Sequence, residues 1–124
     1  EADRAAADDA ARRQREAQDS TRARAAWDRH ESAWAAFERS PPGKITFATV
    51  PWPPSDTGIL RMMAAQAAGA GAEGDQAKAA FRKASLRWHP DKFVAKFGSR
   101  LVGADRDRVL SRVQEISQEV NRSR

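Results

Sequence analysis

The stretch AFRKASLRWHPDKF, residues Ala80–Phe93, decides the fold of this chain. It predicts an amphipathic helix over residues 76–88. The apolar residues of that helix share one face: Ala77, Ala80, Phe81, Ala84 and Trp88. Pro90 ends the helix, because the residue before a proline avoids helical backbone angles. We therefore expect His89 and Asp91 to be displayed at an exposed corner, beside a basic helix face.

A second helix with a matching apolar face follows at residues 104–121. Its core positions recur at spacings of 4, 3 and 4 residues: Val109, Val113, Ile116 and Val120. A loop with a short turn should connect the two helices. The apolar anchors and glycine breakers of that loop are Phe93, Val94, Phe97, Gly98 and Gly103. Together, the helices over 76–88 and 104–121 predict a helical hairpin centred on four core residues: Phe81, Trp88, Val113 and Ile116.

The first 39 residues contain no Gly or Pro and are rich in Ala, Arg, Gln and Glu, so they predict one long helix. The first half of this helix has only alanine as an apolar residue, and we expect its order to depend on a neighbour. In the second half, Trp27, Trp34 and Phe37 lie along one helical stripe. That stripe should dock either on the chain's own domain or on a partner.

The middle of the chain is rich in proline and glycine. The density of proline in residues 41–54 excludes helix and interior strand, so we predict an extended connector with Trp52 tucked inward. A short helix should follow to about Ala68, and then a flexible linker over residues 69–75. The candidate N-caps of the short helix and of the helix after the linker are Ser55 or Asp56, and Asp75.

These elements predict an all-α chain in three segments. The segments are a long charged helix over residues 1–40, the connector over 41–54 and a helical domain over 55–124. No apolar run approaches the roughly 18–20 residues that a membrane span needs. Because the chain begins with Glu1 rather than Met, we expect it to be a segment of a longer protein.

The positive charge of the chain is concentrated at its C-terminal end. The net charge is +5, and residues 78–124 alone hold 12 Lys and Arg against 5 Asp and Glu, a net of +7. Such a balance suggests an acidic partner, which could be nucleic acid, an anionic lipid surface or an acidic protein face. Four of these cations are spaced to lie on the outward face of the helix over 76–88: Lys78, Arg82, Lys83 and Arg87.

The residue types for catalysis or metal binding are scarce. The chain has no cysteine, and two histidines, His30 and His89, make a poor zinc set. The glycines of a G-x-G-x-x-G pattern, Gly69, Gly71 and Gly74, follow an alanine-rich helix rather than a buried strand, so we interpret them as linker. We expect no enzymatic activity, cofactor, metal or small-molecule substrate.

At His89-Pro90-Asp91 the sequence resembles the J domain of DnaJ-type proteins. Residues 80–93 are similar to the second helix and signature loop of that domain, with Phe81, Leu86 and Trp88 at its core positions. VQEISQEVN, residues 113–121, resembles its third helix. The resemblance implies that the H-P-D residues contact a seventy-kilodalton heat-shock ATPase. It also implies that nearby cations steer the chain onto an acidic surface of that ATPase: Lys78, Arg82, Lys83, Arg87 and Lys92.

A longer combination of motifs resembles the C-terminal region of the NF-kappa-B inhibitor-like protein family. The motifs, within residues 27–122, are WAAFE at 34–38, ITFATVPWP at 45–53, RWHPDKF at 87–93 and SQEVNR at 117–122. The family is linked to nuclear localisation, to negative regulation of NF-kappa-B signalling and to pre-mRNA splicing. The resemblance implies an intracellular protein of the nucleus or cytoplasm, with a J-domain-like helical hairpin after the long helix and the connector.

Two main functions remain open at this point. The chain is either a co-chaperone module that stimulates a heat-shock ATPase, or a docking subunit within a larger protein or ribonucleoprotein assembly. In the second case, a partner-binding stripe of aromatic residues would make the contact: Trp27, Trp34, Phe37 and Trp52. RNA is the weaker alternative partner, because aromatic residues are not interleaved with the basic ones near the C-terminus.

Overall fold

The computed structural model describes residues 2–54, 58–66 and 73–123. These residues contain five α-helices and no strand, which confirms the all-α prediction. The helices are α1 (Ala2–Arg39), α2 (Ile59–Gln66), α3 (Glu73–Trp88), α4 (Pro90–Phe97) and α5 (Gly103–Arg122). Two short 3-10 helices lie at Phe47–Thr49 and Gly98–Arg100. None of the helices in the described part of the chain combines the length and the apolar composition that a membrane span requires.

Helix α1 is a single helix of 38 residues, as the sequence predicts. It continues through Thr21, whose hydroxyl donates a hydrogen bond to the carbonyl of Ala17 at 2.9 Å. Residues 2–22 are all exposed, whereas the second half buries one stripe of side chains. The buried residues recur at spacings of 3, 4 and 3: Trp27, His30, Trp34 and Phe37.

The aromatic stripe of α1 packs into the chain's own core. The ring centroids of Trp34 and Trp88 lie 5.0 Å apart, and those of Phe37 and Phe97 lie 4.8 Å apart. Trp52, half-buried, stacks on Trp88 at 5.8 Å. The prediction of a partner-binding stripe is therefore corrected: Trp27, Trp34, Phe37 and Trp52 make their contacts inside this chain.

One hydrophobic core runs through all the helices and the connector. Trp88 and the α5 positions Val109, Val113, Ile116 and Val120 are buried, as predicted, whereas Phe81 is only half-buried. The core assignment of Leu86 is wrong, because its side chain is 50% exposed. Two residues along a helix correspond to about 200°, so Leu86 points away from the face that Trp88 occupies. Ala77 is also exposed and faces a groove between α2 and α3.

The residues after Pro90 form helix α4 rather than the predicted loop. Pro90 occupies the first helical position, where its missing N–H costs nothing, and His89 supplies the N-cap. Phe93 and Phe97, one turn apart, are both buried and give α4 its apolar face. Gly98 continues the chain into a 3-10 helix, and Gly103 begins α5.

Helix α3 begins at Glu73, three residues earlier than predicted, so Asp75 lies inside it and is not its N-cap. Gly74 therefore belongs to the helix. The rest of the predicted linker lies outside the described residues, as do the predicted caps of the short helix and its predicted end. Those residues are Ser55, Asp56, Ala68, Gly69 and Gly71.

The connector is held against the segment between α4 and α5. The N–H of Ile45 donates to the carbonyl of Arg100 at 2.7 Å, and the N–H of Val102 donates to the carbonyl of Ile45 at 2.9 Å. The predicted extended chain is interrupted by the 3-10 helix at Phe47–Thr49. Trp52 does turn inward, and its indole N–H donates to the carbonyl of Phe47 at 2.9 Å.

Trp88 is the residue on which this packing converges, so its removal tests the core assignment. We expect Trp88→Ala to lower the free energy of unfolding by about 3–5 kcal/mol, because a large cavity is left among aromatic rings. Leu86→Ala, on the same helix but exposed, should change it by less than about 0.5 kcal/mol. Urea denaturation of both variants measures the difference, and equal effects would contradict the assignment.

Candidate protein-interaction surface

The H-P-D corner is a rigid junction between two helices. His89 is the single residue between α3 and α4, and its backbone is extended. Its N–H donates to the carbonyl of Ser85 at 3.0 Å, and its own carbonyl accepts from Phe93 at 2.9 Å. His89 and Asp91 are exposed and Pro90 is half-buried, so the corner presents polar groups from a fixed backbone.

The imidazole of His89 has a defined role within this corner. Its Nδ1 accepts a hydrogen bond from the backbone N–H of Asp91 at 3.2 Å, which caps the start of α4. Because Nδ1 is the acceptor, the neutral ring carries its proton on Nε2. The corner thus offers an N–H donor from His89 and a carboxylate from Asp91 on adjacent exposed side chains.

The structure divides the predicted basic face of α3 into two groups. Lys78 and Arg82, with Lys92 at the start of α4, are exposed and form no ion pair with any described residue. Lys83 and Arg87 instead bind Glu31 of α1. The Lys83 Nζ and the Arg87 Nη2 each lie 3.2 Å from Glu31 Oε2.

The prediction that Arg87 belongs to an outward docking face is wrong, because α1 covers that side of α3. The Arg87 guanidinium is buried, lies 5.2 Å from the ring centroid of Trp34 and forms a two-pronged contact with Glu31. Such a cation stacked on an indole and paired with a carboxylate fixes two helices together. Arg87 is therefore a structural residue, and Lys83 contributes to the same ion-pair cluster.

The buried His30 lies beside this ion-pair cluster, and the sequence analysis did not predict the cluster. Its Nε2 lies 3.3 Å from Arg87 Nη1, and its ring lies 4.9 Å from that of Trp27. Burial, with the Arg87 charge beside it, lowers the pKa of His30 from 6.5 to about 4. Burial alone would raise the pKa of Glu31, but the hydrogen bonds and charge of Arg87, helped by Lys83, hold it below its usual value.

We expect acidification to destabilise the fold through His30. The folded imidazole stays neutral down to about pH 4, whereas an unfolded one binds a proton near pH 6.5. The unfolded state therefore binds more protons in this window, and the stabilisation, complete above pH 6.5, is lost as the pH falls toward 4.

The free energy of unfolding should fall by about 1–2 kcal/mol between pH 7.5 and 5.0 in urea denaturation. His30→Gln keeps an acceptor for Arg87 but cannot titrate, so its free energy should vary much less over the same range. An equal decrease in both proteins would assign the pH dependence to other groups.

Comparison with known proteins adds the family. No solved structure matches the chain. The sequence model described as the NF-kappa-B inhibitor-like protein 1 C-terminal domain matches residues 60–124, just over half of the chain. The match begins within α2 and includes the H-P-D corner, α3, α4 and α5. The chain therefore belongs to the NF-kappa-B inhibitor-like family, of which it contains the C-terminal domain.

Proposed function

We propose that this chain is a non-enzymatic protein-interaction module that docks onto an acidic surface of a partner protein. The single observation that carries the proposal is the exposed H-P-D corner, with Lys92 following it directly and Lys78 and Arg82 exposed on α3; none of these three cations pairs with a described residue. In its specific form the proposal is a J-type co-chaperone, whose partner is a seventy-kilodalton heat-shock ATPase. The partner would carry out the chemistry, and this chain would act by binding.

Electrostatic complementarity supports a binding role for this surface. The three exposed cations of α3 and α4, which pair with no described residue, would attract an acidic face and orient the encounter, in a manner that added salt weakens. The fixed corner then supplies directional contacts, a donor from His89 and an acceptor from Asp91. Because the side chains of His89 and Asp91 are exposed, they suit docking better than chemistry that requires a pocket closed to water.

A protein partner fits the surface better than RNA does. Single-stranded RNA is bound through aromatic rings on which its bases stack. All nine Phe and Trp residues of this chain are described, and none is exposed. The nucleus or cytoplasm, implied by the family resemblance, stays our proposal for where the partner is met.

The exposed part of α1 favours a second function, a docking subunit in a larger assembly. Residues 2–22 form a helical stretch of about 30 Å in which every residue is exposed. An isolated helix of this kind gains stability when a neighbour covers it. Here the J-like hairpin would serve as a scaffold, and α1 would make the contacts.

Single-turnover ATP hydrolysis by a seventy-kilodalton heat-shock ATPase separates these functions. We expect the chain to accelerate hydrolysis, and His89→Asn to reduce the acceleration at least about tenfold, as for loss of a charge-assisted contact. Asparagine is a good N-cap, so this variant keeps the start of α4 while it removes the imidazole. The His89→Asn variant therefore tests the docking role of the imidazole while it preserves the fold.

Lys44→Gln is the matched control, because Lys44 is exposed on the connector, outside the proposed surface. It should accelerate hydrolysis as the unmodified chain does. If the folded chain gives no acceleration, the co-chaperone proposal is overturned, and the docking role of α1 becomes the better account.

A further inference from the structure

A groove between α2 and α3 is not used by the proposed function. It has a volume of about 800 Å³ and lies on the side of α3 opposite the ion-pair cluster with α1. Leu60 and Phe81, both half-buried, contribute apolar surface, and Leu86 forms part of its wall. Leu86 is the one large apolar side chain that is exposed among the described residues, so this groove is the clearest apolar opening on their surface.

The charged residues in the described lining of this groove all have the same sign. Arg61 from α2 and Lys78 and Arg82 from α3 line it, and its described lining contains no Asp or Glu. Each of the three cations is exposed. A partly apolar trough bordered by cations is complementary to a peptide with apolar anchors and flanking carboxylates.

We infer that this groove binds a short acidic, amphipathic segment of a partner protein. Leucine or aromatic anchors of that segment would contact Leu60, Phe81 and Leu86. Its Asp and Glu side chains would face Arg61, Lys78 and Arg82. This is the helix-in-groove mode of recognition, in which apolar anchors supply affinity and flanking charges set the orientation.

The chain itself offers no segment of this chemistry. The exposed half of α1 has only alanine as an apolar residue and carries nearly balanced charge, and residues 67–72 contain only Ala and Gly. A second copy docking through either segment would therefore lack both the anchors and the acidic charge. The phosphates of RNA could pair with the cations, but the aliphatic side chains of Leu60 and Leu86 neither bind phosphate nor provide a ring on which a base could stack.

The inference goes beyond the proposed function and can fail separately from it. Lys78 and Arg82 are shared by the two surfaces, but the groove does not need the H-P-D corner. The variant His89→Asn, which should impair ATPase stimulation, should leave groove binding unchanged. Leu86→Glu should weaken binding at the groove, because it places a carboxylate where an apolar anchor and acidic flanks of the peptide would lie.

Selection from a phage-displayed library of random 16-residue peptides on the immobilised 124-residue chain tests the inference. We expect the enriched peptides to combine Leu, Phe or Trp with a net negative charge. A synthetic copy of the most enriched peptide should bind Leu86→Glu at least about tenfold more weakly in fluorescence anisotropy, the effect expected for loss of one buried leucine. Lys78→Ala with Arg82→Ala should also weaken it and reduce its salt dependence.

Ala95→Glu is the matched control, since Ala95 is exposed on α4 and lies outside the groove. It introduces the same charge as Leu86→Glu and should leave peptide affinity unchanged. Melting curves of both variants should match that of the unmodified chain, because both sites are exposed. The inference is overturned if no peptide is enriched, if the enriched peptides lack acidic residues, or if Leu86→Glu binds them as the unmodified chain does. Tighter binding of an unstructured 16-nucleotide RNA than of the enriched peptides would also overturn it.

Discussion

The packing of α1 on Trp88 is the contact on which the rest of the structure depends. Trp34 lies 5.0 Å from the Trp88 ring, and Trp52 covers the same indole from the connector. This contact places Glu31 beside Arg87, so the same aromatic packing also decides which cations of α3 form ion pairs with α1. The surface that α3 presents to a partner is therefore set by residues of α1 that lie more than fifty positions earlier in the chain.

The family match and the hydrophobic core do not share a boundary. The matched region begins at residue 60, yet the core that surrounds Trp88 includes Trp27, Trp34 and Ile45. Ile45 also pairs its backbone with the segment between α4 and α5. Residues upstream of the matched region thus complete the interior of the C-terminal domain, and they include three of the four tryptophans of the chain.

The sequence predicted correctly those elements that depend on local periodicity and composition. The α5 stripe and the long α1 helix follow from periodicity and composition, and His89 at the corner follows from Pro90. Helix α4 was missed because its stability comes from burial of Phe93 and Phe97, which are anchors in a loop as readily as in a helix. Arg87 was misplaced for a similar reason: spacing puts it on the basic face of α3, and only the docking of α1 shows that Glu31 covers it. The groove at Leu86 was not predicted, because the resemblance to the J domain assigned Leu86 to the core. A resemblance matches positions in a sequence and does not show which residues surround them.

The most direct test of this account compares the thermal unfolding of three chains: residues 1–124, 23–124 and 43–124. The account predicts that residues 23–124 unfold cooperatively near the temperature of the whole chain, because the segment removed is exposed. It also predicts that residues 43–124 lose the cooperative transition, because Trp88 is uncovered and Arg87 is left without Glu31. A cooperative transition of residues 43–124 at the temperature of the whole chain would show that the C-terminal domain needs no help from α1, and would contradict the account.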